Sequence, residues 1–145
     1  INTEHSEMAP CLVLDTLVFG SNRPSIHIRP VSMFNLLPFY DLYKASKSSS
    51  QKFIKPKLFS NTINSSQHEC STSFTKDGTK MYFTVYDEKE NSKDSVYRMK
   101  LFHSEKRQGK WTKPMSFIFN DSLYSFAHPS VDHDNKMIFF ASDMK

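Results

Sequence analysis

Apolar and polar positions alternate along this chain in short runs closed by Asp turns, and the same phrase comes round more than once. Pro10-Cys11-Leu12-Val13 is followed by Asp15 and then by Leu17-Val18-Phe19-Gly20-Ser21-Asn22. Thr72-Ser73-Phe74-Thr75 is followed by Asp77-Gly78 and then by Met81-Tyr82-Phe83-Thr84. Pro129-Ser130-Val131 is followed by Asp134-Asn135 and then by Met137-Ile138-Phe139-Phe140-Ala141-Ser142-Asp143. Gly and Asn accept the positive φ that tight hairpins need, so apolar runs flanking Asp-Gly or Asp-Asn predict β-hairpins.

The openings of these phrases repeat as well. Ile1-Asn2 with Glu7 is matched by Ile63-Asn64 with Glu69, 62 positions later, and Phe119-Asn120 opens the phrase again after a further 56. Each complete copy then predicts two more strands. Tyr40–Ala45 corresponds to Ser95–Met99, and Phe53-Ile54-Lys55-Pro56 corresponds to Trp111-Thr112-Lys113-Pro114. Polar stretches at 46–52 and 103–110 read as the turns between them. The prolines fall at the close of the expected fourth strand, an edge position where a missing ladder donor does least harm.

Four strands per repeat make one antiparallel sheet, which cannot bury both faces alone and must stack on neighbours. The expected fold is therefore all-β, a partial β-propeller of four-stranded antiparallel blades. Residues 1–62 form blade 1, 63–118 form blade 2, and 119–145 form the first hairpin of a third blade, all in one propeller domain. A β-sandwich is the competing architecture, but sandwiches do not require a repeat. Two blades and part of a third cannot close a ring, and the chain opens on Ile1 rather than Met. The expectation is a processed or partial segment whose remaining blades are partners of this one, because exposed strand edges invite pairing.

Blade 1 carries an insertion at 24–38 where blade 2 has only a short charged gap at 87–94. It is either a loop folded back over the blade edge or a partner-binding loop, since binding residues concentrate on long loops carried by rigid scaffolds. The candidate contact residues are Ile26, His27, Ile28, Arg29, Met33, Phe34, Leu36 and Leu37.

Composition agrees with strands: 13 Phe and 6 Tyr against 3 Gly suit packed sheet faces. The net charge of +4 arises from 19 basic and 15 acidic residues scattered along the chain. Nucleic acid would require those charges on one stripe with exposed aromatics, so it is not an expected partner. No signal-peptide pattern and no apolar run long enough for a transmembrane segment occurs. Cys11 and Cys70 fall on corresponding strands of adjacent blades, too far apart for a disulfide on the expected spacing, so free thiols are expected.

No nucleophile elbow, zinc-protease helix, P-loop or dinucleotide fingerprint is present. Asp132-His133-Asp134 lies on an expected hairpin turn, where Asp bonds its own backbone. His5 with Glu7, and His68 with Glu69, recur just before the first strand of each blade, as a binding ring at the propeller mouth or as a repeated structural bond. Repetition favours the second, because a unique site does not need copying. No catalytic, metal or cofactor site is expected.

At these residues the chain resembles the WD-repeat-like, TolB-type β-propeller found in OmpA-family envelope proteins of the Bacteroidetes. The resemblance is carried by Asn64, Glu69, Asp77-Gly78, Met81-Tyr82-Phe83, Ser95-Val96-Tyr97 and Gly109-Lys110-Trp111-Thr112-Lys113-Pro114. It recurs in Phe19-Gly20-Ser21-Asn22-Arg23, Asp41-Leu42-Tyr43 and Phe140-Ala141-Ser142-Asp143. The chain departs from the family phrase in lacking Pro before Asp77, and in having Leu14-Asp15-Thr16 and His133-Asp134-Asn135 where Asp-Gly is usual. The resemblance implies a non-catalytic scaffold of the periplasm or outer membrane that binds other envelope proteins, some relatives serving type IX secretion. The alternative is the propeller domain of a larger hydrolase of the prolyl-oligopeptidase or glycosidase kind, whose catalytic groups lie outside this chain.

Overall fold

In the computed structural model, which describes residues 1–24, 31, 36–86 and 96–145, every regular element is a strand and every ladder is antiparallel. The first sheet runs in chain order through β1 (Glu7–Val13), β2 (Thr16–Ser21), β3 (Asp41–Ser46) and β4 (Lys57–Leu58). The second comprises β5 (His68–Phe74), β6 (Lys80–Tyr86) and β7 (Met99–Arg107), with β8 (Lys110–Trp111) and β9 (Met115–Ser116) both pairing with β7. The third holds β10 (Phe126–Val131) and β11 (Ile138–Ser142). The described strands do not close into a ring.

The expected hairpins form, each with its own turn chemistry. Leu14-Asp15 closes β1 to β2 with Leu14 at φ +51°, a left-handed conformation for a branched side chain. In the other two turns it is the residue after the Asp, Gly78 and Asn135, that takes positive φ, at +66° and +59°. Gly78 has a second constraint, since a Cβ there would come within 3.1 Å of the Val13 side chain of the first sheet.

A feature not foreseen is a bulge in every first strand. Register slips between Met8 and Cys11, between Cys70 and Thr72, and between Ala127 and Ser130. Ala9, Ser71 and His128 sit in these slips at φ +48°, +44° and +54°. An unpaired residue at positive φ bends the strand and sharpens its twist. Pro10 and Pro129 directly follow two of the bulges, where a missing N–H breaks no regular ladder.

The later strands differ from expectation in two ways. In the second copy β7 begins at Met99, so the expected Ser95–Met99 strand is displaced toward the C-terminus. Register explains it: Leu101 pairs with Thr84 as Leu42 pairs with Gly20, and both leucines are fully buried, whereas Val96 is exposed. The equivalent of Leu42 is Leu101, which the tyrosine match with Tyr97 obscured.

Pro56 and Pro114 also precede the fourth strand instead of closing it. Phe53 makes one bridge to Lys47, and Trp111 pairs with Lys106; the chain then passes the proline and re-pairs with the third strand at Lys57–Leu58 and Met115–Ser116. Lacking an N–H, proline interrupts the ladder between the two stretches.

After those two-residue strands an asparagine completes the edge. Asn64 accepts the Leu42 N–H at 2.9 Å and donates to the Leu42 carbonyl at 3.0 Å. Asn120 treats Leu101 in the same way, at 3.0 and 2.6 Å. Phe59 and Phe117 donate backbone N–H bonds to the same two carbonyls. The Ile63-Asn64 and Phe119-Asn120 openings are thus the points where a new sheet is tied to the third strand of the preceding one.

The first two sheets pack face to face. Val18, Leu42 and Phe59 from the first copy and Ile63 at the opening of the second form one core with Met81, Phe83 and Val85 of β6. Alternation sends Tyr82 and Thr84 to the other face, where Tyr82 meets Phe117 edge-on at 5.9 Å and the Thr84 hydroxyl accepts the His128 N–H at 3.0 Å. Ser73 accepts the Val131 N–H and Asn135 accepts the Lys76 N–H across the same seam. The first strand of the second sheet contacts the first strands of both neighbours.

Removing a buried amide that pairs with both backbone groups of one residue leaves those groups unsatisfied, at a cost of about 1–3 kcal/mol for each. Asn64→Ala is expected to destabilise the chain by about 2–4 kcal/mol, and Asn120→Ala, at a half-buried site, by less. Urea denaturation midpoints measure both, and a loss under about 0.5 kcal/mol for Asn64→Ala would contradict the assigned role.

Candidate functional site

The insertion at 24–38 is the loop singled out by sequence. Ile26, His27, Ile28, Arg29, Met33 and Phe34 lie outside the described residues. Leu36 and Leu37 are 75% and 47% exposed, and Val31 makes an antiparallel bridge to Pro38.

Both ends of the insertion are firmly held. Just before it, the Arg23 guanidinium donates to Glu7 Oε1 at 2.8 Å, to the Ser21 hydroxyl at 3.1 Å and to the Ile1 carbonyl at 3.0 Å. Its Cζ lies 5.3 Å from the Phe19 ring centre and 5.0 Å from that of Tyr43, within cation–π range of both rings. Just after it, Phe39 stacks on His68 with centroids 4.0 Å apart, and His68 Nδ1 accepts the Tyr40 N–H at 3.1 Å. Accepting at Nδ1 assigns a neutral imidazole its proton on Nε2. The Tyr40 carbonyl receives the Glu69 N–H at 2.9 Å.

The recurring Glu positions are held by bonds within their own loops, whereas the His68 ring bonds Tyr40 and stacks on Phe39 and His5 takes part through its backbone N–H. Thr3 donates both its N–H and its hydroxyl to Glu7, and Ser65 does the same to Glu69. The same hydroxyls accept the N–H two residues on, at His5 and Gln67, and Asp121 accepts from Leu123 in the third copy. Asn22 accepts the Ser6 N–H and Asp143 the Ser125 N–H, so the Ser-Asn and Ser-Asp pairs that end the second strands tie back to the first. Burial alone would raise the Glu7 carboxyl, but the Thr3 bonds and the Arg23 charge outweigh it and hold the group below its ordinary value near 4.5.

Asp132 accepts the N–H groups of Lys136 and Met137 at 2.7 and 2.8 Å, the expected turn chemistry. Cys11 and Cys70 are free thiols, as expected, and burial pushes both up from the ordinary thiol value. Among the described residues no group of three His, Cys, Asp or Glu side chains is placed to hold a metal ion, and no helix is long and apolar enough to cross a membrane.

The feature sequence reasoning missed is a cleft of about 210 Å³ at the seam of the first two sheets. The β1–β2 turn and Gly78 form its lip, while Phe59, Phe74 and Trp111 line it with centroids 5.5 to 6.1 Å apart. Lys44 and Lys106 also line it, and the Lys44 ammonium sits 5.6 Å from the Phe59 ring centre. Each element contributes one or two residues, so no local sequence pattern marks the cleft. No protein-family model, no curated protein and no solved structure matches the chain.

A carboxyl with a lowered value stabilises the fold above its ordinary value, and that contribution is lost as pH falls through the lowered one. Glu7→Gln is therefore expected to reduce Tm at neutral pH, with the gap to wild type closing as the solution is acidified below 4.5. Thermal scans across this range check it, and a gap independent of pH would contradict the Thr3 and Arg23 contacts.

Proposed function

We propose that the chain forms three consecutive blades of a β-propeller, the third present as its first hairpin, and that it serves as a non-catalytic protein-binding scaffold of a bacterial cell envelope. The observation carrying this reading is the recurrence of one sheet unit with the same internal bonds. Asn64 and Asn120 tie each new unit to the previous third strand, and the first strands of successive units are neighbours. Sheets repeated in this manner are the elements from which a propeller is assembled.

Partners for the third sheet are implied by its surface. Met137 and Phe139 are 56% and 58% exposed, and among the described residues β11 has an unpaired edge. Further blades of the same propeller would cover both, which removes an aggregation hazard. The envelope setting and the scaffold role rest on the resemblance to TolB-type propellers of OmpA-family proteins. The insertion at 24–38 is the proposed contact loop, since Arg23 and the Phe39–His68 stack give it two fixed ends.

Replacing residues 25–35 with a Gly-Ser linker is expected to leave the β-sheet circular dichroism unchanged and to abolish co-precipitation of envelope proteins by the chain. Retention of the same partners would overturn the role of the insertion. Fractionation with an antibody to this chain is expected to find it in the envelope, and recovery in the cytosol would overturn the location.

A further inference from the structure

The cleft at the seam of the first two sheets has a definite chemical character. Lys44 of β3 and Lys106 of β7 line it, while Lys57, the β4 strand partner of Lys44, lies outside the lining. Among the described residues no carboxylate pairs with these three lysines. The nearest acidic side chain on β7, Glu105, faces Lys80 at 3.9 Å and Arg107 at 3.0 Å instead. Lys44 is only partly solvated, and burial first, then the Lys106 and Lys57 charges, lower its proton affinity. Like charges gathered in a partly dry cleft focus a positive potential on whatever enters.

The same cleft is lined by aromatic rings beside the lysines, with Lys44 over Phe59 and Lys106 paired across the strands with Trp111. Trp111 lies 5.5 Å from Phe59 and 6.0 Å from Phe74, and their surfaces suit a flat apolar body. The volume of about 210 Å³ is below the roughly 300–1,000 Å³ of drug-sized sites, which limits the ligand to one ring or a short chain. Apolar walls with a few converging charged groups are the usual make-up of a small-ligand site.

We propose that this cleft binds a small organic anion, a carboxylate or phosphate monoester carried on a flat apolar body, with Lys44 and Lys106 holding the anionic group and Trp111 and Phe59 the body. The site is built from the first two sheets alone, so it stands whether or not further blades complete a ring.

Trp111 is the single tryptophan of the chain, so its fluorescence reports on the cleft directly. The 145-residue chain is titrated with phenyl phosphate, with benzoate and with uncharged benzyl alcohol. Saturable change with at least one anion is expected, at a concentration at least about tenfold below any response to benzyl alcohol, and weakening as salt screens the lysines. The tighter of the two anions identifies the head group. In the variant Lys44→Met with Lys106→Gln, the charged probes are expected to lose about tenfold in affinity, a difference of about 1.4 kcal/mol. No saturable change with either anion, or a response equal to that of benzyl alcohol and insensitive to salt, would overturn the proposal. The wild-type salt and alcohol comparisons decide the matter even if the double variant does not fold.

Discussion

The side-chain amide of asparagine carries a donor and an acceptor in nearly the spacing of a backbone peptide unit, and the fold depends on that mimicry. Lys57–Leu58 and Met115–Ser116 are too short to satisfy the outer edge of the third strand by themselves. Asn64 and Asn120 extend each ladder by pairing with Leu42 and Leu101 just where the chain turns away to begin the next sheet. One residue thus finishes a sheet and fixes the start of its successor. The face-to-face core of Val18, Leu42, Phe59, Ile63, Met81, Phe83 and Val85 forms against that fixed start.

The middle sheet shows what such stacking achieves. Along β6, Met81, Phe83 and Val85 serve one seam, while Tyr82 and Thr84 serve the other. Both faces of an antiparallel sheet are then buried, which an isolated hairpin array does not accomplish. Among the described residues the third sheet is covered on one face, and Met137 and Phe139 are exposed.

The hairpins were legible because their signals are local: Asp77-Gly78 and Asp134-Asn135 between apolar runs leave the chain little choice. The repeat spacing was legible too, although the purpose of its asparagine was not, because its partners lie 22 and 19 residues back along the chain. The third strand of the second copy and the fourth strands were misplaced, whereas β3 of the first copy lies where expected. Tyr43 and Tyr97 look alike, yet register is set by what is buried opposite Gly20 and Thr84, and that is Leu42 and Leu101. The bulges at Ala9, Ser71 and His128 share no residue type, and the proline that follows two of them is absent after Ser71. The Lys44–Trp111 cleft is built from single residues of distant elements, so only the folded chain reveals it.

Amide hydrogen exchange at Leu42 and Leu101 tests the asparagine tie most directly, because their N–H groups are bonded to the two side chains. Both amides are expected to exchange as slowly as the central β2 and β6 amides, and Asn64→Ala should release Leu42 while leaving Leu101 protected. Rapid exchange of Leu42 and Leu101 in the unaltered chain, or protection of Leu42 that survives loss of the Asn64 side chain, would contradict the account.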